Sequence, residues 1–321
     1  MKTIVLAVIA PLFLLLSSAG DSTGLSPTFL ALLGSPAPGQ EGREVSGSYR
    51  TIIGSRGTGG EFFSPGRIEV DSQGDLYVVD SHGGRLRKVD GEGRTIWEIG
   101  GEEWGGEGFL VPGGVAVSSG LAVYLLDLGS RRVYRINGLG EIEGVVENED
   151  LRDPRAIALT PTGKLVVYEA SSREIIVLNP AGRVLWSFKP DGFRSKTHVE
   201  MSLRGEEEIC LYTRGSKVLR FYHFMGGLNR IWRPVLPDGR RLEASSLDID
   251  ESGRVFILDG NVRVIYVFDR LGNLLLDMSG SMRDMRYKGP GDIRVAEGVV
   301  YLTEGRTGRV LALSLPRELR N

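Results

Sequence analysis

An all-β, six-bladed β-propeller of four-stranded antiparallel blades is the fold this sequence predicts, and three observations predict it. A phrase made of a turn, a short apolar strand, a Gly turn and a second strand recurs six times. Its second strands read "DLYVVD", "AVYLLD", "KLVVYE", "EICLYT", "RVFILD" and "VVYLTE", ending at Asp80, Asp127, Glu169, Thr213, Asp259 and Glu304. The successive spacings are 47, 42, 44, 46 and 45 residues, and a period in the forties built from short strands marks propeller blades. These strands are apolar on both faces (Val78 and Val79, Leu125 and Leu126), as expected where sheet packs on sheet from both sides. The two ends of the chain are also complementary, one lacking a strand that the other holds spare.

Taken in order, Lys2, the uncharged run Ile4–Leu16 and the small residues Ser17–Gly20 predict a cleaved signal peptide over residues 1–20, and with it an exported protein, periplasmic or extracellular. That run is interrupted by Pro11 and falls short of the roughly 20 residues a bilayer span requires, so no integral membrane segment is expected in the mature chain. Residues 21–48 are rich in Pro and Gly and read as a flexible segment. The propeller then occupies 49–321. Each unit continues past its marker residue into a third strand ("RLRKVD", "RVYRIN", "EIIVLN", "VLRFYH", "VIYVFD", "RVLALS") and turns into a fourth ("TIWEIG", "VLWSFK", "LLLDMS"). The sixth unit ends before its fourth strand. "RTIIGSRGTGGEFFSPG" (50–66) matches "WEIGGEEWGGEGFLVPG" (97–113), so Arg50–Gly54 is expected to supply that strand and close the ring. Closure removes two exposed blade faces and their unpaired edges.

The pattern Pro-Gly-x-Ile/Val-x-Val-Asp, then Gly, Leu-Tyr-Val-x-Asp and Arg-Val, over roughly residues 50–315, resembles the NHL repeat, which builds six-bladed propellers. It is clearest in units one, three and five and weakest in unit four, where the Pro and Gly punctuation is lost. The resemblance implies a range of activities: protein- and RNA-binding modules, extracellular sensor domains, and a zinc-dependent lyase acting on α-hydroxyglycine peptides.

With 39 basic and 41 acidic residues, the chain lacks the overall basic balance of a dedicated nucleic-acid binder. Only His82, His198 and His223 occur, with none of the close pairs usual in zinc sites, which disfavours the lyase chemistry. The single Cys210 lies in the apolar strand "EEICLYT" and is expected to be a buried hydrophobe. Acid-to-cation pairs after the second strand, such as Asp80 with Arg85 and Asp259 with Arg263, read as hairpin closures.

Aligning the six first strands exposes a column that should face the narrow centre: Glu69, Ala116, Ala158, Glu200, Asp248 and Arg294. Asp292, His198 and Arg67 would join the rim. Two readings stand. One is a ligand-binding funnel in which Glu69, Glu200 and Asp248 are candidates to hold a metal such as Ca²⁺ or a cationic group. The other, which demands less, is a self-neutralising lining with Arg294 bridging Glu69 and Asp248. Trp104, in the glycine-flanked loop "GGEEWGGEGF", is either a partner anchor or a cover for the blade joint. The expected function is a non-catalytic, monomeric platform recognising a protein, peptide or glycan, with nucleic acid disfavoured. A metal-assisted lyase or hydrolase using the central funnel is the alternative.

Overall fold

The computed structural model describes residues 43–44, 48–54, 62–101, 109–117, 122–193, 198–213, 216–289 and 291–320. The expected signal, most of the 21–48 segment and Trp104 lie outside the described residues.

Two short strands, β1 (Arg43–Glu44) and β2 (Tyr49–Ile53), precede six meanders. The first holds β3 (Pro65–Val70), β4 (Leu76–Asp80), β5 (Arg85–Val89) and β6 (Thr95–Gly100). The second holds β7 (Pro112–Val117), β8 (Val123–Asp127), β9 (Arg132–Ile136) and β10 (Ile142–Val145). In the third are β11 (Pro154–Leu159), β12 (Leu165–Glu169), β13 (Glu174–Leu178) and β14 (Val184–Phe188). The fourth comprises β15 (Val199–Arg204), β16 (Glu208–Thr213), β17 (Leu219–His223) and β18 (Leu228–Trp232). The fifth comprises β19 (Ala244–Ile249), β20 (Val255–Asp259), β21 (Val264–Phe268) and β22 (Leu274–Asp277). The sixth has β23 (Ile293–Ala296), β24 (Val299–Glu304) and β25 (Arg309–Ser314). Within each meander the pairings are antiparallel; the inner strands β3, β7, β11, β15, β19 and β23 stand side by side, with β23 against β3.

The sixth blade gains its fourth strand from the amino-terminal side, as expected. β2 pairs antiparallel with β25, Tyr49 opposite Leu313 and Arg50 opposite Ala312. Ile52 and Ile53 are buried there beside Ile68, Leu76 and Val310. Within the segment read as flexible, β1 runs parallel to β22 and extends the fifth blade. A short helix α1 (Ser279–Asp284) lies between blades five and six and buries Met282 against Leu276 and Val267. Six residues are too few for a helical period to register in a sequence.

The core has no single centre. Six apolar clusters each lie between two neighbouring blades, and the second strands β4, β8, β12, β16 and β20 are buried along their whole length. That is why both faces of these strands are apolar. Cys210 belongs to the layer between blades four and five, and burial pushes its thiol well above the usual value. At the outer rim, each third-to-fourth hairpin leans on the preceding blade. Trp97 donates its Nε1–H to the Gly138 carbonyl at 3.0 Å, and the left-handed Gly140 and Gly272 sit against the Trp97 and Trp232 rings. A Cβ on Gly272, at φ +90°, would meet Trp232 Nε1 at 2.9 Å. Gly272→Ala is therefore expected to cost about 1–3 kcal/mol from backbone strain and displaced packing; urea unfolding of the variant measures it.

In the five blades whose marker is an acid, that acid ties the blade to the connection that enters it. Asp80 accepts from the Phe63 and Ser64 amides, both at 2.9 Å, and from Gly83 N at 3.1 Å. Asp127 does the same for Leu110, Val111 and Gly129, and Glu169 for Asp153 and Ser171. These amides belong to turns and would otherwise lack partners. Asp80 also takes Arg85, at 3.2 Å. Asp259 departs from its expected partner Arg263: its cation is Arg240, 3.1 Å away, because Arg263 adopts φ +60° in the hairpin turn.

Candidate functional site

The inner strands bring the charged column together, with one correction to its register. Opposite β4, β8, β12, β20 and β24, the residues three before each marker face Glu69, Ala116, Ala158, Asp248 and Arg294. In blade four the corresponding Cys210 faces Ser202, and Glu200 lies opposite Tyr212. Glu200 therefore sits two positions nearer the strand start than the column predicted. A shift of two residues keeps every side chain on its own face, so strand alternation could not reveal it, and the lost Pro and Gly punctuation of this unit left no other landmark.

The result is two stacked tiers. The lower contains Ser202, Asp248, Arg294 and Glu69, with Ala116 and Ala158 completing the ring. Ser202 Oγ donates to Asp248 Oδ1 at 2.7 Å, and Arg294 lies 2.9 Å from both Asp248 and Glu69. The upper contains Glu200, Arg67, Asp292 and Ser246, with Gly114 and Ala156. Arg67 grips Glu200 with both terminal nitrogens, Nη2–Oε1 at 3.0 Å, and reaches Asp292 at 3.2 Å. Ser246 Oγ donates to Asp292 at 2.5 Å. His198 stands above this tier, half-exposed, with Nε2 against Glu200.

These side chains do a second job. The inner edge of each blade presents strand amides with no neighbouring strand to accept them, a situation that must be resolved when the edge is buried. Ser202 Oγ accepts the Ile249 amide, Ser246 Oγ that of Ile293, Asp248 that of Val295 and Asp292 that of Ile68, at 2.8–3.2 Å. Each bond crosses to the next blade, and the last joins blade six to blade one. Ser202 and Ser246, both 1% exposed, escape a search for charges; a hydroxyl two residues from an acid, and so on the same strand face, is the signal that could have found them.

Each tier places two carboxylates on one guanidinium, and the surplus acid shows it. In the lower tier, burial raises the Glu69 carboxyl to about 7; Arg294 opposes the rise but is shared with Asp248, whose charge adds to it. In the upper tier, burial works against Glu200, yet Arg67 and His198 outweigh it and hold its carboxyl at about 2. Asp292 is shifted up, by burial and by the Glu200 charge. The raised Glu69 value means that the folded protein holds this proton more tightly than the unfolded chain. Its stabilisation is complete below the ordinary value of 4.5 and is lost as pH rises to about 7. Glu69→Gln is expected to remove that loss, leaving the variant up to about 3 kcal/mol less penalised at pH 8 than the parent. Thermal melts of both proteins at pH 5 and pH 8 check the sign.

Glu69, Glu200 and Asp248 do not meet at one point: the first and third share Arg294, and Glu200 is held by Arg67 in the other tier. A Ca²⁺ ion takes 6–8 oxygen ligands in one shell, and among the described residues no three His, Cys, Asp or Glu side chains are grouped to hold a metal. The proposed metal set does not fit as arranged. Between the tiers a space of about 50 Å³ remains. Above them opens a mouth of about 650 Å³, bordered by Arg67, Arg155, His198, Glu200 and Arg306 and by the backbone of Gly113 and Gly291. Arg155 is paired with Asp153 at 2.8 Å, and Arg306 is exposed.

Six closed blades, their edges knitted by polar side chains and a funnel left open on one face, define the class: a ring-closed β-propeller. No family model matches the chain. Over 152 residues it is 26% identical to NHL repeat-containing protein 3 of Homo sapiens, covering 43% of this chain and 44% of that protein, so the match spans less than half the length of this relative. Its repeat pattern and six blades are similar to those of such NHL-repeat proteins. Among solved structures, virginiamycin B lyase from Staphylococcus aureus superposes with a TM-score of 0.57 at 10% identity, covering 84% of this chain and 99% of that one. A gluconolactonase from Xanthomonas campestris gives 0.57 at 15% identity, over 84% and 89%. These two likenesses concern the fold alone. Among the described residues, no helix is long and apolar enough to cross a membrane.

Proposed function

We propose that this chain is an exported, non-catalytic recognition platform that receives its partner on the funnel face. The observation that carries this reading is the mutual engagement of the central ionisable groups. Arg67 and Arg294 are occupied by Glu200, Asp292, Asp248 and Glu69, and two of these carboxylates also accept strand amides. Groups so engaged serve ring closure, whereas a general acid or base must be free to exchange its proton with a substrate. The open mouth above them offers hydroxyls and guanidinium groups suited to binding.

The alternative is a metal-assisted lyase or hydrolase acting in the central funnel; a lyase and a gluconolactonase share its fold. Elemental analysis of the purified protein and capture of partners from cell-envelope material separate the two. The platform reading expects capture by the parent and its loss in an Arg155→Ala, Arg306→Ala variant that melts like the parent. A stoichiometric metal whose removal by EDTA abolishes a measurable turnover would instead establish the enzyme.

A further inference from the structure

Five of the six described non-glycine residues with positive φ are cations: Arg131 (+59°), Arg173 (+61°), Lys217 (+53°), Arg263 (+60°) and Arg286 (+52°). This conformation suits Gly and tolerates Asn or Asp; other residues pay about 1–2 kcal/mol for it. Four of the five occupy one repeat position, the fourth residue after the marker, in the hairpin between the second and third strands. Blades one and six place Gly84 (+61°) and Gly308 (+67°) there. The fold thus needs nothing more than glycine at this position, and four blades hold a strained cation instead. Strain that the backbone does not require points to a function for the side chain.

These cations share the funnel face, since Ser81, Leu128 and Arg306 of the corresponding hairpins line its mouth. Arg286 lies on the connection that leads to Gly291, at the same mouth. Structural duties do not account for them. Arg131 is 3.8 Å from Asp153 and Lys217 3.6 Å from Glu243, exposed contacts worth about 0–1 kcal/mol. Arg173, Arg263, Arg286 and the rim residue Arg306 are exposed and have no ion pair among the described residues. The opposite face mixes signs, with Glu92, Glu141, Glu207 and Glu251 beside Arg94, Arg183 and Arg270, whereas the described second-to-third hairpin tips hold no Asp or Glu. In a chain of formal charge −2, these tips thus gather cations without a matching acid on the same hairpins.

We infer that the funnel face docks an acidic polysaccharide, its carboxylate or sulfate groups received by Arg131, Arg173, Lys217, Arg263, Arg286 and Arg306. This rests on the platform reading and names its ligand class. Guanidinium forks match such anions bidentately, and cations repeated from blade to blade suit a polymer with repeated charge. The described second-to-third hairpins contain no Phe, Tyr or Trp, the stacking surfaces that single-stranded nucleic acid uses. Their one strongly exposed apolar side chain is Val262, little for a protein interface that needs buried anchors. Exposed Phe63 and Leu110 sit on incoming connections rather than on these tips.

The test is retention on immobilised polygalacturonate and heparin of the parent and of the combined variant Arg131→Gly, Arg173→Gly, Arg263→Gly. Glycine is already native to this position in two blades, so the variant is expected to melt no lower than the parent. The parent should bind at low salt and release as salt rises, and the variant should bind about tenfold more weakly or worse. A control carrying Arg94→Ala, Arg183→Ala and Arg270→Ala, on third-to-fourth hairpins, should bind within about twofold of the parent. Equal loss in both variants, or tighter retention on duplex DNA than on either polysaccharide, overturns the inference. A parent that ignores both polymers yet captures a partner dependent on Arg155 and Arg306 overturns it while leaving the platform standing; capture of nothing by that face overturns both.

Discussion

Removing residues 1–54 is expected to lower the melting temperature by at least about 10 °C, whereas removing residues 1–41 should leave it within about 2 °C. The first truncation deletes β2, which completes the sixth blade through its ladder with β25, and with it Ile52 and Ile53, 2% and 1% exposed. Truncating either isoleucine to Ala would by itself cost about 2–5 kcal/mol. Loss of the strand also bares the outer edge of β25 and the face of blade one that packs on it. At roughly 2–4 °C per kcal/mol for a domain approaching this size, a loss of about 5 kcal/mol gives the predicted shift. Differential scanning calorimetry of the two truncations decides it, and equal melting temperatures would remove the closure argument.

The second large effect lies at the upper tier. Arg67→Met is expected to destabilise by about 3–5 kcal/mol, the cost of leaving a buried carboxylate without its partner. Glu200 is 3% exposed and Asp292 9%, and Arg67 spans the channel from blade one to both. Glu200→Gln in the Arg67→Met background should recover part of that loss, because it removes the stranded charge rather than adding a contact. Denaturant unfolding of the two single variants and the double measures the coupling. Additive effects would mean that the pair does not act together.

The fold was legible because each blade restates one pattern, so six imperfect copies corroborate one another. Unit four, with Thr213 for an acid and few punctuating residues, was placed correctly by its neighbours on either side. The site was legible only in part. Glu69, Asp248 and Arg294 could be aligned through intact landmarks, and Arg294 does bridge the two acids as one reading held. Glu200 aligns with the lower tier in sequence and stands in the upper one in the structure, since a slip of two residues is invisible to a period of two. Ser202 and Ser246 carried no charge to draw notice. The hairpin cations looked alike in sequence, yet Arg85 and Arg309 follow a left-handed glycine and bind the marker acid, while Arg173 and Arg263 are themselves the left-handed residues. A shift of one residue turns an internal tie into an exposed charge, and only backbone conformation separates the two.

The central claim is that the inner charges and hydroxyls exist first to seal the ring from blade to blade. Hydrogen exchange at the amides of Ile68, Ile249, Ile293 and Val295 tests it most directly, since their acceptors are the side chains of Asp292, Ser202, Ser246 and Asp248 on the neighbouring blades. The account predicts protection equal to that of ladder amides in the same strands, with the Ile68 amide alone losing it in Asp292→Ala. Exchange of all four in the parent at the pace of open-edge amides would contradict it.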